Sequence, residues 1–189
     1  SSLHDSIINT KEENIIIIVL GHGNEFGLNT NPPIKPYNLM NALHLNTRIR
    51  SASVILGQCF AGVFNYTDTC KKDSKGKTIH TNICLLGASH LNSSLSGLVP
   101  ISINQKDVSW IANIFLFHFF DWILNPRDID GDSKNTLMDV FKYAGSKASQ
   151  QLLIMKRAMF QDASHLQIDL YHVLNKIKEL KAKLLSELD

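Results

Sequence analysis

The chain has 189 residues, 44% hydrophobic and 19% charged, with a formal net charge of +2; this suits one domain with a core of its own and gives no reason to make nucleic acid the main partner. Three cysteines, Cys59, Cys70 and Cys84, are too sparse and odd in number for a disulfide framework, and favour reduced thiols in a cytosol-like compartment. No run reaches the ~18 apolar residues of a membrane span, and the start, Ser1-Ser2-Leu3-His4, has neither an initiator Met nor a signal-peptide pattern, as in a mature or partial chain.

The first apolar run is Ile15-Ile16-Ile17-Ile18-Val19-Leu20, which stops at Gly21-His22-Gly23. It is too short for a typical helix and predicts a strand over 14–20, buried on both faces as in parallel sheets. Residues 24–36 form a loop, because Pro32-Pro33 and Pro36 prevent regular hydrogen bonding. Helical spacing of Leu39, Met40, Leu43 and Ile49 predicts a helix from Tyr37 to Arg50. A second buried strand covers 52–57, ending Val54-Ile55-Leu56 before Gly57-Gln58-Cys59-Phe60-Ala61-Gly62. A polar segment, 65–81, follows; its basic stretch Lys71-Lys72 to Lys77 reads as a solvated loop. A third strand, Ile83-Cys84-Leu85-Leu86, lies within 82–88.

After Pro100 the pattern becomes mainly helical. One helix is expected over 107–124, with Trp110, Phe115, Phe119 and Trp122 as packing residues and His118 hydrogen-bonded on or near the core. Asp128 to Asp132 is a turn-rich loop, and a further helix covers 135–160, with a weak point near Gly145. The last segment, 164–188, differs in character. Leu166, Val173 and Leu180 recur every seven residues, as do Leu170, Ile177 and Leu184. That is an a/d heptad pattern. The expected organisation is a domain over 1–160 and a C-terminal amphipathic helix over 161–189, which either packs on its own domain or docks a partner or a second copy.

Strand, helix, strand, connector, strand is the grammar of an α/β domain with a parallel sheet. Active sites of such sheets gather outside the carboxyl ends of the strands. His22, Cys59 and the loop Ser89-His90-Leu91-Asn92 all fall at that edge. A cysteine attacks as thiolate, and a neighbouring imidazole can accept its proton or stabilise the anion. The glycines around His22 permit a sharp turn and close approach. The N–H groups of Gly23 and Cys59 are then candidate oxyanion donors. By itself, a lone His–Gly pair or a lone strand-end cysteine is more often structural.

Gly21-His22-Gly23 after one β run, and Gln58-Cys59-Phe60-Ala61-Gly62 after the next, resemble the caspase–legumain superfamily of cysteine peptidases. Gly27-Leu28 and Ala88-Ser89 also fit, and the resemblance covers about residues 14–145. Bacterial legumain-like and caspase-like members are the most similar. The resemblance implies a caspase-like, mostly parallel sheet flanked by helices, here with an additional heptad-patterned helix. It implies a cysteine endopeptidase acting on peptide or protein substrates, with no cofactor required. Carried over, His22 is the general base, Cys59 the nucleophile, and Gly23 with the Cys59 backbone the oxyanion hole. Gly57, Gln58, Ser89 and His90 would border the substrate pocket. The chain departs from the family at Gly57, where many members carry an acidic residue or Gln, so selection of a charged side chain is not implied. It also departs before Ile15, where the family has a further strand and helix. Two alternatives stay open: a silent peptidase-like binding module acting through the C-terminal helix, and a transamidase using the same dyad.

Asp128, Asp130, Asp132, Thr136 and Asp139 place oxygens at positions 1, 3, 5, 9 and 12 of a calcium-loop pattern. Ser133 replaces the turn glycine, and Asp139 is shorter than the usual Glu. An acidic turn capping the next helix is therefore preferred over calcium. Zinc at Cys70, His80 and Cys84 lacks a paired Cys-x-x-Cys and is disfavoured.

Overall fold

The computed structural model describes residues 3–67, 71, 72, 75, 78, 79 and 82–186. In chain order its elements begin with α1 (Leu3–Asn9), β1 (Asn14–Val19), β2 (Gly23–Asn24), β3 (Gly27–Leu28) and α2 (Pro36–Leu45). Then come β4 (Ser51–Leu56), a short 3-10 helix (Ala61–Tyr66), β5 (Lys71–Lys72), β6 (Thr78–Ile79) and β7 (Asn82–Gly87). They end with β8 (Ser96–Ile103), β9 (Lys106–Asn113), α3 (Ile114–Leu124) and α4 (Leu137–Ser186).

The protein is α/β, and β1, β4 and β7 form a parallel sheet in that order. Val19 lies beside Leu56, and Leu56 beside Gly87, so the three carboxyl ends finish level. The alternation of side chains divides β4 between two cores. Ala52, Val54 and Leu56 join Ile7, Leu39, Leu43, Ala61 and Phe64 on the face of α1 and α2. Ile55 joins Leu86, Phe115, Phe119, Trp122, Val140 and Ala144 on the face of α3 and the first turns of α4.

Several expectations change: the loop expected over 24–36 carries β3, and Lys71–Lys72, expected in a solvated loop, forms β5. β1 is not buried on both faces: it is an edge strand, with Ile16 71% exposed and Ile15, Ile17 and Val19 only partly covered. The helix expected over 37–50 ends at Leu45. Buried Asn46 stops it by donating to the carbonyls of Ile7 (3.0 Å) and Thr10 (2.9 Å) and accepting from the Arg48 N–H. The helix expected over 107–124 begins only at Ile114, because 96–113 is an antiparallel hairpin. Its two turn residues, Asn104 and Gln105, both have positive φ, 50° and 63°, the backbone a two-residue hairpin favours. Val108, Trp110 and Ala112 follow with strand periodicity. The Asn113 side chain then accepts from the Leu116 N–H at 2.9 Å and starts α3. Finally, the helix continues through Gly145, where a Cβ would meet nothing within 4 Å.

The chain divides into two compact units, Ser1–Ala148 and Ser149–Asp189, parting inside α4. The described part of the second unit is helix throughout. Among the described residues, no helix is long and apolar enough to cross a membrane.

Candidate active site

His22 follows β1 and begins a tight hairpin, in which Gly23 pairs with Leu28 and Asn24 with Gly27. The Asn29 N–H donates to the His22 carbonyl at 3.0 Å, and Asn24 Oδ1 accepts from the Phe26 N–H at 2.9 Å. These bonds fix the backbone and leave the imidazole exposed. The hairpin rests directly on the next strand's turn. A Cβ at Gly23 would lie 2.3 Å from the Cys59 carbonyl oxygen and 2.4 Å from Gln58 Cγ. Only glycine permits that approach.

Cys59 follows β4 on a turn bent by Phe60, whose φ of 57° is rare for a bulky residue. The loop after β7 holds this turn. Phe60 N–H donates to the Asn92 carbonyl (2.8 Å), Gly62 N–H to the His90 carbonyl (3.0 Å), and Ala61 N–H to Ser89 Oγ (3.2 Å). Ser89 Oγ in turn donates to the Gln58 carbonyl at 3.2 Å. From below, Gly57 N–H donates to Val19 and Asn113 Nδ2 donates to the Gly57 carbonyl at 2.6 Å.

The Cys59 thiol is half-buried and free. Its sulfur accepts from the Ser94 N–H at 3.4 Å and meets Ser94 Oγ at 3.6 Å. The Ser94 hydroxyl, then its N–H, pulls the thiol below its ordinary range; burial opposes, and the Ser93 hydroxyl adds in the same direction. Among the described residues no hydrogen bond joins His22 to the sulfur. Ser93 and Ser94 are the functional candidates that sequence reasoning missed. Their signal was a hydroxyl pair directly after Asn92, on the loop already assigned to this edge.

The expected pocket residues fall differently. Gly57 is buried, and a Cβ there would come within 2.2 Å of Leu116 Cδ1. Gln58 is 0% exposed, and neither polar atom of its amide has a hydrogen-bond partner among the described residues. Both lie beneath the turn rather than on an open wall. Ser89 is half-buried, with its hydroxyl committed to backbone groups. His90 is exposed, its ring edge-on to Tyr66. A concave surface in this neighbourhood is an apolar cavity of about 430 Å³ bounded by Leu20, Trp110, Asn113, Phe117 and Phe120. Leu20 stands two residues before His22, and Asn113 holds Gly57, two residues before Cys59. Sequence reasoning missed the cavity because it placed Trp110 and Phe117 on one helix instead of on a hairpin and a helix.

The acidic loop is a hydrogen-bonded turn. The carboxylates of Asp128, Asp130 and Asp139 lie within 4.8 Å of one another, and Asp132 stands outside this cluster. Asp128 accepts from the N–H groups of Gly131 and Ser133, both at 2.7 Å, and Asp132 from that of Lys134 at 2.9 Å. Asp130 is paired with the Lys142 ammonium at 2.9 Å. Asp139 is buried and accepts from Thr136 Oγ1 (2.7 Å), Thr136 N–H (2.9 Å) and Ile129 N–H (2.8 Å). Thr136 thus spends its hydroxyl on Asp139. These carboxylates accept backbone N–H, hydroxyl and ammonium donors of the chain itself.

The Thr136 hydroxyl and the Ile129 N–H lower Asp139 to about 2, against burial. A carboxylate lowered on folding stabilises above its unfolded value and loses that contribution as pH falls through the folded one. Stability should therefore decline between about pH 4 and pH 2. Asp139→Asn should flatten that part of a thermal-melting profile against pH.

Cys84 is a half-buried free thiol that burial pushes up, whereas Cys70 and His80 lie outside the described residues. No family model, curated protein or solved structure matches the chain.

Proposed function

We propose that this chain is a cysteine endopeptidase of caspase-like fold, using Cys59 as nucleophile and His22 as proton carrier. One observation carries the proposal: the His22-Gly23 turn sits on the Cys59 carbonyl at a distance only glycine allows. Two further features support it. The His and Cys strands are neighbours in a parallel sheet with level carboxyl ends, and the thiol is lowered by the Ser94 donors.

In this mechanism the Cys59 thiolate attacks the peptide carbonyl carbon, and the oxygen takes the negative charge. Collapse breaks the C–N bond, and His22 gives its proton to the departing amine. A water then loses a proton to His22 and attacks the thioester; the thiolate leaves and the acid is released. No cofactor enters these steps. A catalytically silent binding module is the second reading, favoured by one observation: the sulfur's hydrogen-bond partners belong to Ser94, not His22.

The test is labelling with peptide electrophiles ending in Arg, Lys, Asn, Asp or Leu, followed by peptide mapping. Fast labelling of Cys59 over Cys70 and Cys84, graded by the peptide end, is the expected outcome. Equal, slow labelling of all three, blind to the peptide, would leave the silent module.

A further inference from the structure

The second unit presents its heptad face to solvent. Leu166 is 71% exposed, Leu170 59%, Val173 56%, Ile177 56% and Leu180 58%. A water-exposed apolar stripe at this period is covered when a second helix of matching pattern lies against it. Position by position, Ala163, Leu170 and Ile177 are a residues, and Leu166, Val173 and Leu180 are d residues. The residues just before each a position, at g, are Asp162, Asp169, Lys176 and Lys183. The residues just after each d position, at e, are Phe160, Gln167, Leu174 and Lys181.

The charges select an orientation. In a parallel pair, each g residue faces the e residue five positions on in the other helix. That sets Lys176 against Lys181, and Asp162 and Asp169 against Gln167 and Leu174, which gives repulsion and no ion pair. In an antiparallel pair, g faces g and e faces e, while a residues pack in layers with d residues. A two-fold axis between Tyr171 and His172 makes the layers Ala163–Leu180, Leu166–Ile177 and Leu170–Val173, each formed twice. The same axis sets Asp162 opposite Lys183 and Asp169 opposite Lys176, again twice. The e pairs become Phe160–Lys181 and Gln167–Leu174, with no like charges. One register thus satisfies the apolar seam and all four g charges.

We infer that the occupant of this face is a second copy of the chain, held as an antiparallel two-helix coiled coil over residues 159–184. The inference is independent of the peptidase proposal.

Sedimentation equilibrium of the 189-residue chain, with reductant present to exclude intermolecular disulfides, tests it with two charge variants. One carries Asp162→Lys and Asp169→Lys, so all four g positions are basic; the other carries Lys176→Asp and Lys183→Asp, so all are acidic. The native chain should dimerise. Each variant alone should associate roughly tenfold or more weakly, because four pairings become repulsions. An equimolar mixture should recover association, since basic g rows then face acidic ones. A chain carrying all four changes should dimerise again by itself. Far-ultraviolet circular dichroism checks that each variant remains helical. A monomeric native chain at micromolar concentration, association untouched by the variants, or a mixture that fails to recover would each overturn the inference.

Discussion

Replacing His22 by Ala should lower peptide hydrolysis about 10²–10⁴-fold, the usual contribution of a positioned acid–base group, and leave the pH midpoint of Cys59 alkylation in place. Ser94→Ala should act the other way round, moving the alkylation midpoint upward. The separation follows from the geometry. Ser94 supplies the donors on the sulfur, so it governs how much thiolate exists. Among the described residues His22 makes no bond to the sulfur, so under the proposed mechanism its contribution would be proton transfer once substrate is bound. The sign is fixed by the thiol's direction: a lowered thiol is more ionised at neutral pH. Removing the hydroxyl returns it part of the way to its ordinary range of about 8.5, and the surviving N–H limits the rise. Iodoacetamide rates across pH, read beside hydrolysis rates for each variant, check both halves. A His22→Ala protein whose midpoint moves, or a Ser94→Ala protein whose midpoint does not, would sink this division of labour.

Gly23→Ala should separate the two turns of the site. The new methyl would stand 2.3 Å from the Cys59 carbonyl oxygen and 2.4 Å from Gln58 Cγ. Backbone cannot yield that much cheaply. Forced overpacking of this kind costs about 1–3 kcal/mol, and here relief comes by lifting the β2–β3 hairpin, which carries His22 with it. Loss of hydrolysis should therefore exceed the loss of stability. Gly21→Ala is the matched control: a Cβ there meets nothing within 4 Å, so stability should stay within about 0.5 kcal/mol of the native chain. Chemical denaturation and hydrolysis rates on both variants measure the contrast.

What was legible in the sequence lies where continuous apolar runs end at glycine. β1, β4 and β7 are such runs, and their adjacency brings His22, Cys59 and the Ser89 loop to one edge. The hairpin 96–113 was not legible. Trp110 and Ile111 run straight into Phe115 and Phe119, and a helix-forming run masks the strand before it. Its signal, Asn104-Gln105, lacks the glycine that usually marks such turns. Ser94 was hidden for another reason. Which hydroxyl reaches a sulfur depends on how a loop folds back, and no periodicity encodes that. In the acidic loop the sequence pattern allows a calcium loop or a capping turn at Asp132 or Ser133; the hydroxyl that accepts from the first helical N–H groups is that of Thr136, a choice no pattern in the loop marks. Ser133 takes up the positive φ, 65°, that a glycine would have held easily.

Among the described residues no strand pairs with the outer flank of β1, which has a consequence for this chain in solution. Asn14 to Leu20 is a seven-residue window without charge, proline or glycine, the composition that stacks into cross-β fibrils. At its amino end stand Lys11, Glu12 and Glu13, the last paired with Arg50 at 3.2 Å. The expected result is strand-templated precipitation on storage, checked by light scattering against holding time. Concentration, temperature and holding time should then set its rate.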